Sequence, residues 1–206
     1  MSVKSYFHTL IYSERLASAQ SLKKLNKELL KEAYQIANFD KSGKKWSGDN
    51  YPGGFTSYAS MSQLHKQSST FAKLSAKIKT HTVKYIKSLD YDIKASELEM
   101  TSCWVNIVPP GHFHSLHLHP LSTISGTYYL KTPKNCGDLR FEDPRLSKLM
   151  AAPNRKANAK STNKQFIKVK PEESNLVLFE SWLRHEVEKN LSQEDRVSIS
   201  FNFNWF

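Results

Sequence analysis

Residues 112–120 read HFHSLHLHP, so four of the chain's eight histidines, His112, His114, His117 and His119, stand within nine positions. Imidazole is the side chain proteins use most often to hold a metal ion. In a β-strand, side chains two apart share a face and those an odd number apart do not. His117 therefore pairs with His119, and His112 with His114. In an unbroken strand the two pairs face opposite ways, so one pair at most looks inward. Cα atoms two apart in a strand lie about 6–7 Å from each other, which lets both rings converge on one ion. A third ligand must come from elsewhere, and the one histidine downstream is His185, in LFESWLRHEVEKN. The plain alternative is a polar strand whose histidines face solvent.

The elements that must position these residues change character along the chain. Residues 14–37 place Leu22, Leu25, Leu29, Leu30, Ala33 and Ile36 at three- and four-residue steps, the spacing of an amphipathic helix. A turn-rich stretch follows, KSGKKWSGDNYPGGFTS. Helical spacing resumes with Tyr58, Met61, Leu64, Phe71, Leu74 and Ile78 through about residue 88, with Thr56 or Ser57 as the cap. From about residue 97 the chain reads as seven strands: ELEMTSCWVNIV, HFHSLHLH, STISGTYYLK, GDLRFED, QFIKV, NLVLFE and DRVSISFNFNW. Pro109-Pro110-Gly111, Pro133 to Gly137 and Pro171 separate some of them. Strands in succession without helices between them predict an antiparallel barrel or two-sheet jelly roll. The expectation is one domain over 1–206: a helical layer over 1–95 packed on a jelly-roll core over 96–206.

Composition bounds the partners. The hydrophobic share is 39%, enough for a sizeable core and unlike a disordered chain. Two cysteines, Cys103 and Cys136, form no CxxC spacing, the N-terminus lacks an apolar signal segment, and no apolar run reaches membrane-spanning length. A soluble cytoplasmic protein is expected. The formal net charge is +11, and between Asp143 and Glu172 the residues Arg145, Lys148, Arg155, Lys156, Lys160, Lys164, Lys168 and Lys170 meet no acid. Such a stretch, 145–170, suits nucleic acid or another acidic partner, or serves only as a solvated loop.

Three segments in order, HLHPLSTISGTYYLKTPKNCGDLRFEDPR, LFESWLRHEVEKN and EDRVSISFNFNW, resemble the 2-oxoglutarate- and iron(II)-dependent oxygenases. The likeness is greatest to a bacterial and phage group related to the prolyl hydroxylase branch. It implies a double-stranded β-helix, a cupin-like jelly roll, with iron(II) and 2-oxoglutarate as cofactors and ascorbate as a reductant. In that superfamily the first motif is H-x-D or H-x-E, and a distal histidine completes a two-histidine, one-carboxylate triad. The resemblance lays His117 on the first position and His185 on the distal one, so the carboxylate position falls on His119. His119 itself, or Asp138 or Asp143 from the following turn region, then completes the metal site.

The resemblance also implies that Arg196 pairs with the distal carboxylate of 2-oxoglutarate, a task suited to the planar guanidinium fork. Ser198, two residues on in an R-x-S arrangement, and Tyr129 are implied to assist. Asn106, Ser125, Asn202 and Asn204 could complete hydrogen bonds to cosubstrate or substrate. Trp182 and Trp205 read as core or rim aromatics. The implied activity is hydroxylation of a C–H bond, with a peptide or protein side chain such as prolyl as the first substrate class. The rival is a non-catalytic jelly roll that binds metal or nucleic acid.

Overall fold

A computed structural model describes residues 2–51 and 53–206; Met1 and Pro52 lie outside them. Its strands are β1 (Ile11–Arg15), β2 (Phe55–Thr56), β3 (Leu98–Val108), β4 (His114–His117), β5 (Ile124–Lys131), β6 (Leu139–Glu142), β7 (Phe166–Val169), β8 (Asn175–Glu180), β9 (His185–Val187) and β10 (Arg196–Trp205). The helices are α1 (Ala19–Phe39), α2 (Lys41–Asn50), α3 (Leu64–Gln67) and α4 (Ser69–Ser88).

The strands form two antiparallel sheets, of order β1-β8-β5-β10-β3-β2 and β4-β9-β6-β7. Strand alternation divides the large sheet's side chains between two cores. Val197, Ile199, Phe201 and Phe203 of β10 pack with Leu22, Leu29, Phe71 and Ile78 of the helices. Tyr129, Val177 and Phe179 face the other way and pack with Leu139, Phe141 and Val187 of the small sheet. Helices, large sheet and small sheet thus form three layers, a jelly roll with helices on one outer face. The adjacent Tyr128 and Tyr129 make the division visible. Tyr128 donates its hydroxyl proton to Asn26 Oδ1 of α1 at 2.6 Å, while Tyr129 belongs to the core between the sheets.

All seven expected strand segments contain strands, and three further ones appear. The first helix does not begin at residue 14. Ile11–Arg15 instead pairs as an edge strand with β8, and Ser18 caps α1 by accepting from the Ser21 N–H. The second helical segment starts at Leu64, not near Tyr58. Ser57 is no cap: its hydroxyl accepts from Val105 N–H at 3.1 Å in the sheet, while Ser68 caps α4. The turn-rich stretch holds a helix, α2, capped by the Asp40 carboxylate on the Gly43 N–H at 2.8 Å. Its glycines and serines are poor helix formers, so α2 depends on contacts that a local pattern does not reveal. Ser47 supplies one, bonding both the N–H and the carbonyl of Thr56 in β2. Among the described residues no helix is long and apolar enough to cross a membrane.

Candidate metal and cosubstrate site

The pocket between the sheets brings His117, His119 and His185 together. One ring nitrogen from each lies within 4.8 Å of the others. The register of β4 against β9 sets His117 directly opposite His185. His119 stands just past the end of β4, where its N–H donates to Ser181 O at 3.0 Å.

Each ring is turned by a bond at its far side. Nδ1 of His117 lies 2.7 Å from Ser115 O, and Nδ1 of His185 lies 2.9 Å from Leu183 O. A carbonyl only accepts, so both Nδ1 atoms carry the proton and both Nε2 lone pairs are free for a metal. His119 Nδ1 meets Asn202 Oδ1 at 2.7 Å and Ser125 Oγ at 2.8 Å, and Ser125 in turn contacts Ser181 Oγ at 2.7 Å. Burial, which penalises the charged ring, lowers all three pKa values, His119 to about 4 and His185 well below the ordinary value. The cluster is therefore neutral at physiological pH, the state in which imidazole binds metal.

A fourth ring joins them. His114 stacks on His117 with centroids 4.3 Å apart, and both line the pocket. Simple alternation forbids this, since the two are three residues apart. The pairing of β4 with β9 shifts register between His114 and His117, and the irregularity turns both rings inward. His112 stays outside, with Nδ1 donating to Pro110 O at 2.9 Å.

The two aspartates that could have supplied a carboxylate lie elsewhere. Asp143 is gripped at both oxygens by Arg145, and Asp138 lines an outer cleft. No acidic residue is among those that line the pocket between the sheets.

Beside the rings lies Arg196, 2% exposed and without an ion pair among the described residues. Its Nε has no hydrogen-bond partner, and its guanidinium carbon stands 5.1 Å from the centre of the Tyr129 ring. The Tyr129 hydroxyl is also buried without a partner. Register places Ser198 opposite Asn106 on one side and Tyr129 on the other. Asn106 donates to Ser200 Oγ at 2.9 Å, leaving its own buried carbonyl oxygen unpaired. A buried guanidinium needs an anion, and no acid among the described residues pairs with it.

Asn202, expected among the cosubstrate contacts, instead stands behind His119 and orients it. Ser125 shares that task, and Asn204 ties the loop before β5 by bonding Thr123 N–H and Leu121 O. His114 and Tyr51 are among the pocket residues that local sequence patterns do not reveal. His114 was hidden by the irregularity in β4. Tyr51 was hidden in the stretch read as turns; it is 3% exposed, and its ring lies 4.5 Å from that of His114.

Three neutral imidazoles suit iron(II), and the unpaired guanidinium and phenol suit a dicarboxylate, so these residues fit the cofactors the sequence implies. Residues 102–202 match the family described as "Putative 2OG-Fe(II) oxygenase". No curated protein matches the chain. Among solved structures, a Pseudomonas putida prolyl-4-hydroxylase superposes with a TM-score of 0.58 at 16% identity, covering 96% of this chain and 89% of its own. The viral collagen prolyl hydroxylase from Paramecium Bursaria Chlorella virus-1, solved as a 2OG complex, gives 0.55 at 11% identity, covering 95% and 96%. A 2OG-Fe(II) oxygenase family oxidoreductase from Burkholderia pseudomallei aligns over 52% of this chain and 45% of its own, at 15% identity and a TM-score of 0.41, too low to carry an argument. The superpositions speak for the fold, and the match to the 2-oxoglutarate- and iron(II)-dependent oxygenases over residues 102–202 takes in the clustered histidines and Arg196.

Proposed function

We propose that the chain hydroxylates a C–H bond, using one O₂ and one 2-oxoglutarate and releasing succinate and CO₂, with His117, His119 and His185 as the iron ligands. The observation that carries this reading is the pairing of three converging imidazoles with a buried, unpaired Arg196 on one pocket wall. Iron(II), when bound, supplies the activation of O₂ and the coupled oxidative decarboxylation. The protein's part is placement. The bonds from Ser115, Leu183 and Asn202 hold the rings so that their Nε2 atoms face the ion. Arg196 takes the distal carboxylate of 2-oxoglutarate in its fork, and Tyr129 adds a phenol donor. Ser198 and Asn106 line the same space. Phe179, with its ring 4.5 Å from that of His185, and Phe141, at 5.9 Å, keep water from that side of the ligands. His119 in place of a carboxylate leaves the centre one unit more positive, which favours a doubly charged anion beside it.

For the substrate, a peptide or protein side chain is proposed, with prolyl residues first. The motif order resembles the prolyl hydroxylase branch, and exposed Phe113, Leu118 and Trp182 flank the ligand strands. The test is succinate formation from 2-oxoglutarate with Fe(II) and O₂. Turnover should depend on iron and vanish in His185→Ala; no succinate from the iron-loaded protein, coupled or uncoupled, would defeat the reading.

One observation favours a second reading. All eight basic residues of 145–170 are exposed, and only Arg145 and Lys168 find acids, Asp143 and Glu188. A nucleic-acid binder would show affinity for RNA or DNA that falls steeply with salt and ignores His185→Ala.

A further inference from the structure

Tyr51 lies upstream of the family match, in the loop between α2 and β2. Its phenol is buried, and the hydroxyl has no hydrogen-bond partner. The ring rests on His114, which rests on His117, so Tyr51, His114 and the metal cluster form one continuous stack along the pocket wall. Arg196 and Ser198 line the same pocket.

The loop is built to put the ring there. The Tyr51 N–H donates to Ser47 O at 2.7 Å and closes α2, and its carbonyl accepts from the Gly54 N–H at 3.0 Å. A Cβ on Gly54 would stand 2.5 Å from the Tyr51 ring. Gly53 has φ +79, and a Cβ there would collide with the His112 ring. Two adjacent glycines thus let the chain pass close beneath both rings.

A tyrosine used only for packing would do better as phenylalanine, because a buried hydroxyl without a partner is costly. Arg196 favours the charged phenolate, yet burial outweighs it and holds the phenol protonated. The group is a neutral donor on the wall of a pocket in which the unpaired Arg196 calls for a carboxylate.

We infer that the Tyr51 hydroxyl donates a hydrogen bond to the distal carboxylate of 2-oxoglutarate, making Tyr51 a third contact beside Arg196 and Tyr129. The inference rests on the function proposed above. It means that the helical half of the chain completes the cosubstrate site.

The test is calorimetric titration of 2-oxoglutarate into Mn(II)-loaded full-length protein, wild type against Tyr51→Phe. The variant keeps the ring and its stack on His114. Loss of one hydrogen bond to a charged group should weaken binding roughly 10- to 100-fold. Mn(II) affinity should be unchanged, and the melting temperature without 2-oxoglutarate should not fall. Gly54→Ala, which displaces the same ring, should shift affinity in the same direction. Equal affinity in wild type and Tyr51→Phe overturns the inference and leaves the proposed function standing. Loss of Mn(II) binding in Tyr51→Phe overturns it too, because the effect would then run through the metal ligands. If Mn(II)-loaded wild type binds no 2-oxoglutarate, the proposed function falls and takes this inference with it.

Discussion

His119 is held from behind by a side-chain amide and a hydroxyl, whereas His117 and His185 are held by backbone carbonyls. The difference makes His119 the ring most open to disturbance by mutation. Asn202→Ala should weaken Fe(II) or Co(II) binding about 10- to 100-fold, measured by metal titration, with little change in fold. The buried rings also set a pH dependence. Their pKa values lie below the ordinary 6.5, with His114 at about 3 and His119 at about 4. Between those values and 6.5 the unfolded chain binds protons that the folded chain refuses. Stability of the metal-free protein should therefore fall as pH drops from about 6.5 to about 4, and melting curves across that range check it. Bound metal, which needs the neutral rings, should be released over the same acid range.

At the scale of elements, the short loop between α2 and β2 hangs on Ser47. Its hydroxyl serves both the N–H and the carbonyl of buried Thr56. Ser47→Ala leaves those groups unpaired and should cost about 1–3 kcal/mol in urea unfolding. The strand half was legible because alternation leaves its mark residue by residue: the apolar positions of β10 and the polar set Arg196, Ser198 and Asn202 are read directly. His117 and His119 were legible for the same reason, and His185 as the one histidine downstream of them. What stayed hidden depends on partners far along the chain. β1 exists because β8 offers an edge, α2 because Asp40 and Ser47 tie its ends, and His114 faces inward because β4 pairs irregularly with β9. Parity assumes an even strand, and no local pattern announces the break.

Across the whole molecule, one core joins both halves. Phe71, Leu74 and Ile78 of α4 and Leu22 and Leu29 of α1 are fully buried with Ile199, Phe201 and Phe203 of β10. Residues 96–206 alone would expose that apolar face of the large sheet. Expressed without the helices they should aggregate or lack a cooperative melting transition, which circular dichroism on heating would detect. The same arrangement puts Arg196 on a strand whose reverse side carries the helical layer. Its isolation has a chemical consequence. 2-Oxoglutarate and succinate share the far carboxylate, so a guanidinium that grips the one grips the other. Under the proposed reaction, discrimination between fuel and spent product must come from the keto acid end, and shedding the product requires rewetting a charge that the barrel keeps dry.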